Sequence, residues 1–91
     1  MLVRQEREYL LEGLKSLPGL QPFPSAVNYL LVKLNRPDFT AASLQKALLS
    51  RKIVIRDASN FRGLDERFWR VAVRGREENL RLLQALEHCL G

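Results

Sequence analysis

The sequence predicts an α+β fold, a small sheet of about three strands with helices packed on one face, in the order α-β-α-β-β-α. Three observations predict it. Ile53–Asp57 and Phe68–Arg74 read as strands, in which side chains point to opposite faces every second residue. The two ends of the chain and residues 41–51 space their leucines and alanines at helical intervals instead. Ninety-one residues, 46% hydrophobic and 27% charged, suit a single small domain spanning 1–91 with one modest core.

Each element follows from local chemistry. From Leu2 to about Ser16, Val3, Leu10, Leu14 and Leu17 recur at helical spacing with charged residues between them. Pro18 and Gly19 end that helix, because proline cannot continue it and glycine accepts a left-handed turn. Met1 opens into the helix without a capping residue, which is expected of a chain cut from something longer. Gln21–Ser25 carries two prolines and reads as a loop. Val27–Leu34 reads as a strand with Leu30, Val32 and Leu34 on one face and Tyr29 and Leu31 on the other. A strand apolar on both faces is normally covered on both sides, which in a domain this small points to a missing partner. Asp38 or Thr40 caps the next helix, which runs to about Arg51 with Ala41, Leu44, Ala47 and Leu48 inward. Gly75 breaks the last strand. Glu77 and Glu78 suit the first turn of a final helix that buries Leu80, Leu82, Leu83, Leu86 and Leu90.

With Ile53, Ile55, Trp69, Val71 and Val73 facing a core, Arg56, Arg70 and Arg74 gather on the opposite face of the same sheet. Their neighbours there are small or apolar, not the mixed charges of an ordinary solvated face. Arginine presents a rigid donor fork that fits a carboxylate or phosphate, so this face is expected to meet anions. The loop between the two strands is about ten residues long, where hairpins usually use two to five, and a loop of that length is more often functional than idle.

The net charge is +5, with eleven arginines against four lysines. That balance is compatible with nucleic acid, an acidic membrane surface, anionic metabolites or an acidic partner domain. A single cysteine, Cys89, excludes an internal disulfide framework and a cysteine-based zinc site. The sequence has no stretch apolar and long enough to cross a bilayer and no apolar signal core at its start, so the expectation is a cytoplasmic protein.

Several segments stand in the order of a known family: Ser25-Ala26-Val27-Asn28-Tyr29-Leu30-Leu31, Ile55-Arg56-Asp57, Asn60-Phe61-Arg62-Gly63-Leu64, Phe68–Arg74, Glu77-Glu78-Asn79 and Leu82-Leu83. Together they resemble the C-terminal small domain of fold-type-I pyridoxal-phosphate enzymes, over about Arg7 to Leu86. Ile55–Leu64 and Arg70–Arg74 resemble the threonine-phosphate decarboxylases of cobalamin biosynthesis. The histidinol-phosphate aminotransferases, near relatives, tend to carry Thr-Val-Gly where this chain has Ala72-Val73-Arg74.

The resemblance implies that Arg70 grips the substrate carboxylate and that Arg56 supplies a second anion contact. It implies pyridoxal 5'-phosphate as the cofactor of a parent enzyme. The lysine, stacking aromatic and phosphate-binding residues that hold it lie in a large domain with no counterpart here. Lys15, Lys46 and Lys52 fall on or beside helices, Lys33 ends a strand, and none has the family's Ser-x-x-Lys context. The chain therefore reads as a C-terminal fragment, inactive alone, with no catalytic, cofactor-binding or metal-binding residue of its own. Implied partners are the large pyridoxal-phosphate-binding domain of the same parent chain, a phosphorylated amino-acid substrate and, in the parent, a second copy in a homodimer; nucleic acid and membrane are not expected. The face carrying Tyr29, Leu31, Arg56 and Arg70 is expected to lie against the large domain and, in isolation, to be an apolar patch prone to self-association.

Other readings stand beside this one. Arg56 and Arg70 could be solvated strand arginines paired with Asp57, Asp65 or Glu66. Arg62 and Arg74 could equally be surface charges, and Arg76 and Arg81 are expected to pair with nearby glutamates on their helix. His88 reads as a surface residue, Cys89 as a small core or helix-end residue, Trp69 as core, and Asn28 as a residue satisfying local backbone. An anion-binding regulatory or adaptor module would use the same Arg56 and Arg70. A basic RNA-binding domain would need exposed aromatics for stacking, and the open face expected here offers only Phe68 beside the arginines.

Overall fold

The computed structural model describes residues 3–23, 28–61 and 63–90. Its elements run α1 (Val3–Lys15), β1 (Leu20–Phe23), β2 (Tyr29–Leu34), α2 (Ala41–Leu49), β3 (Arg56–Asp57), β4 (Phe68–Ala72) and α3 (Arg76–Leu90). The sheet is antiparallel in the order β1-β2-β4-β3. The α+β class holds, but the strands number four and the order is α-β-β-α-β-β-α. The added strand is β1, in the stretch expected to be a loop. Pro22 sits within it opposite Val32, which a strand tolerates at a sheet edge, where one row of backbone donors needs no partner.

Leu30, Val32 and Leu34 of β2 and Trp69 and Val71 of β4 are buried against leucines of all three helices in one continuous core. The helices occupy that face alone, so the alternate residues Tyr29, Leu31, Lys33, Phe68 and Arg70 form the sheet's other face. Other expectations shift at element ends. The strand expected over Ile53–Asp57 pairs only at Arg56 and Asp57, because Ile53 N–H donates instead to the Leu48 carbonyl at the end of α2. The strand expected to reach Arg74 stops at Ala72. Leu80 is exposed, since Leu82, Leu86 and Leu90 define the inward stripe of α3 and Leu80 lies off it. The strand start expected at Val27 lies outside the described residues, as do Ser25, Ala26 and Arg62.

Thr40, not Asp38, caps α2. Its hydroxyl accepts from Ser43 N–H at 3.2 Å while the Ser43 hydroxyl accepts from Thr40 N–H at 2.9 Å, a reciprocal capping box. Asp38 accepts two bonds from Arg36, at 3.0 and 2.8 Å, and Arg36 also donates to the Leu90 carbonyl at the end of α3. Gly19, at φ 81°, packs against the Arg36 side chain where a Cβ would collide. The Arg36 guanidinium holds the Asp38 carboxyl below its ordinary value of 3.8. A lowered folded-state value means the contribution is present above the unfolded value and lost as pH falls through the folded one. Acid titration of stability should therefore show a loss below about pH 4 that is smaller in Asp38→Asn; identical profiles would contradict the pairing.

Helices α1 and α3 are joined by a buried carboxylate. Arg76 meets Glu6 in a two-bond fork at 3.0 and 3.2 Å, and its guanidinium stacks 3.9 Å from the Tyr9 ring centroid. The glutamate partner expected nearby on α3 is replaced by one on the first helix. Glu6 is 6% exposed while the Arg76 side chain is 56% exposed, so the two ends of the pair are not equivalent. Removing Arg76 leaves the interior carboxylate with only a long bond from the Asn79 amide, at 3.5 Å, whereas Glu6→Gln leaves an arginine that water reaches. Urea midpoints should fall further for Arg76→Ala than for Glu6→Gln, and the reverse order would contradict this account.

Candidate anion-binding face

The strand register brings the two expected arginines together. In β4, Arg70 is opposite Leu31 of β2 on one side and opposite Arg56 of β3 on the other. Directly opposed residues on one sheet face have Cβ atoms about 4.5–5.5 Å apart, and like charges placed so destabilise the pairing. Such a pair is relieved by a shared anion. Neither arginine has an ion pair among the described residues. Two of the three acids expected to pair with them bond the backbone, Asp57 accepting from Ser59 N–H at 2.8 Å and Asp65 from Arg67 N–H at 2.9 Å, and Glu66 forms no ion pair among the described residues.

Arg56 is exposed and Arg70 half-buried. The Arg70 guanidinium lies within cation–π range of two rings, 5.8 Å from the Tyr29 centroid and 5.2 Å from that of Phe61. Its Nε is sealed from solvent without a hydrogen-bond partner among the described residues. An unsatisfied buried donor costs about 1–3 kcal/mol, and Trp69 Nε1 is the other such atom among the described residues. Phe61 arrives from the β3–β4 connection, whose described residues make several local main-chain bonds. Ala58 N–H donates to the Phe68 carbonyl, Phe61 N–H to Ala58 and Leu64 N–H to Phe61, and Gly63 takes the left-handed turn at φ 83°.

Arg74 does not join the pair. The side-chain amide of Asn79, a residue 1% exposed, binds both the N–H and the carbonyl of Arg74, and the Arg74 side chain reaches Glu78 at 3.9 Å. Asn28 enters through its main-chain carbonyl, which accepts from Val73 N–H. Trp69 is fully buried and Cys89 packs on the core. Sequence reasoning missed Phe61 as part of the site, although the length of the loop that carries it was a signal. Among the described residues no three His, Cys, Asp or Glu side chains are grouped to hold a metal. No helix among them is long and apolar enough to cross a membrane.

The residues present do not fit pyridoxal phosphate, which needs a lysine for its aldehyde beside a cradle for ring and phosphate. Lys15, Lys46 and Lys52 are exposed on or beside helices, and the Lys33 ammonium covers the Phe68 ring at 5.8 Å. What the face offers is two arginine forks beside aromatic rings, a chemistry suited to carboxylate and phosphate.

No protein-family model matches the chain. It is similar to the histidinol-phosphate aminotransferase of Methanothermobacter thermautotrophicus, 44% identical over 90% of this chain and 22% of that protein. It is similar to the threonine-phosphate decarboxylase of Salmonella typhimurium, 41% identical over 97% of this chain and 23% of that protein. Among solved structures, the L-threonine-O-3-phosphate decarboxylase of Porphyromonas gingivalis superposes with a TM-score of 0.90 at 35% identity, covering 96% of this chain and 26% of that one. The chain thus spans less than a quarter of the length of these curated relatives.

Proposed function

The chain is a small domain of the fold-type-I pyridoxal-phosphate enzymes, and from that premise we propose that it is the C-terminal, substrate-orienting domain of an L-threonine-O-3-phosphate decarboxylase of cobalamin biosynthesis. The observation that carries the reading is the facing pair Arg56 and Arg70, unpaired among the described residues on the open side of the sheet. Threonine phosphate carries a carboxylate and a phosphate, one for each fork. An aminotransferase also binds an amino-acid or oxo-acid partner with a carboxylate of its own, so the choice of the decarboxylase rests on the resemblance of Ile55–Leu64 and Ala72-Val73-Arg74 to that group.

In this reading Arg70 holds the carboxylate and Arg56 the second anion, and the domain contributes by fixing how the substrate lies. The cofactor, which supplies the electron sink when bound, belongs to a large domain of the same parent chain. The 91-residue chain alone binds none and is inactive. The open face, where Tyr29 is exposed and Leu31 half-buried, packs toward that large domain, in a cytoplasmic homodimeric parent.

Reading the source DNA upstream of the Met1 codon tests this. The expected result is an in-frame extension of about 250 residues containing a lysine in a Ser-x-x-Lys context. A stop codon immediately upstream would contradict it and favour an anion-binding adaptor built on the same two arginines.

A further inference from the structure

We propose that Phe61 and Tyr29 are positioning residues that clamp the Arg70 guanidinium, so that Arg70 receives a planar carboxylate end-on, through its two terminal nitrogens. The proposal rests on the reading of this face as the substrate side and deepens it. Three features of the structure carry it.

The rings of Tyr29 and Phe61 both lie within cation–π range of the same guanidinium, from different elements, a strand and a loop. Contacts of this kind restrain the plane of the fork as well as its charge. Secondly, Nε is sealed and unpartnered among the described residues, so the side-on approach through Nε and one terminal nitrogen is closed to a ligand. The terminal pair is what remains to meet an anion. Thirdly, main-chain bonds at Ala58, Phe61 and Leu64 and the Asp57 turn hold the backbone from which the Phe61 ring projects, which lowers the cost of presenting that ring to the arginine. Arg56, exposed and with no ring over it among the described residues, keeps the freedom to meet a tetrahedral phosphate from several directions.

A carboxylate lying in the plane of a clamped fork satisfies both terminal nitrogens with two parallel bonds. A phosphate gains less from the same restraint. Phe61 is therefore a selectivity residue for carboxylate over phosphate at Arg70, acting through the arginine without touching the ligand's anion itself.

The test uses the 91-residue chain labelled with 15N-arginine, the variants Phe61→Leu and Phe61→Tyr, and acetate and inorganic phosphate as probes. Phe61 is 46% exposed, so neither variant removes core. In the wild-type chain the Arg70 Nε–H signal should be displaced upfield by the rings and protected from exchange. Phe61→Leu should lose much of both effects and bind acetate about two- to fivefold more weakly, with phosphate affinity unchanged. Phe61→Tyr should restore the wild-type behaviour. An Arg70 Nε–H signal unaltered in Phe61→Leu, or equal losses in Phe61→Leu and Phe61→Tyr, would overturn the proposal. If the ring effects are present but neither anion perturbs any arginine signal, the substrate-facing reading fails while the clamp stands, so the two failures are distinguishable.

Discussion

Replacing Arg70 by methionine is expected to weaken binding of O-phospho-L-threonine by about ten- to a hundredfold while leaving the fold as stable or more so. The loss follows from removing hydrogen bonds to a charged ligand group, worth about 1.5–3 kcal/mol. The stability follows from the site itself. Arg70 Nε is sealed without a partner among the described residues, and Arg70 faces Arg56 across the β3–β4 pair. Methionine keeps a length that reaches Tyr29 and Phe61 and removes both the orphaned donor and the like-charge opposition. Unfolding free energy should stay level or rise by about 1 kcal/mol. Opposite signs for binding and stability mark a residue retained for function. A methionine variant that binds as tightly as the wild type, or unfolds far more easily, would contradict the assignment.

Trp69→Ala is expected to be the most damaging single truncation, at about 3–5 kcal/mol. Trp69 is the largest fully buried side chain and stands on the inner face of β4, beside Val32 of β2 and Asp57 of β3 in register. Domains of this size are stable by only about 5–15 kcal/mol, so the variant should be substantially unfolded at modest urea. Its neighbour in sequence is Arg70, on the opposite face of the same strand. Loss of the indole therefore frees the strand that carries the proposed anion-binding fork, and phosphothreonine binding should fall together with stability. The contrast with Arg70→Met, where binding falls alone, separates the packing side of β4 from its chemical side. Trp69→Phe should cost less, since the indole Nε1 has no hydrogen-bond partner among the described residues and its removal relieves an unsatisfied donor.

The sequence made the chemical face of the sheet legible because a strand has a period of two. Once Trp69 and Val71 were placed inward, Arg70 had no other place than the outer face, and the β3–β4 register put Arg56 opposite it. The same rule sorted Leu30, Val32 and Leu34 from Tyr29 and Leu31. It failed where an element's end is set by a partner remote in sequence. Arg74 would have continued the outer row, but Asn79 binds both its backbone groups and β4 ends first. Strand β1 was hidden because Pro22 reads as a breaker unless the strand is known to lie at an edge.

Glu6 was invisible for a different reason. It stands among exposed charges of α1, and only the packing of α1 on α3 buries it against Arg76. Phe61 was half legible. A connection of that length promised a task, but nothing in the local pattern could direct a loop phenylalanine over an arginine in the adjoining strand.

The most direct test of the central claim, that the outer face of this sheet orients a doubly anionic substrate, is titration of the 15N-labelled chain with O-phospho-L-threonine. The account predicts that backbone signals of Tyr29–Lys33, Arg56 and Phe68–Ala72 move together, that L-threonine and histidinol phosphate bind more weakly, and that signals of the three helices stay still. Shifts centred instead on Lys52, Arg74 and Arg81, or equal responses to all three compounds, would contradict it.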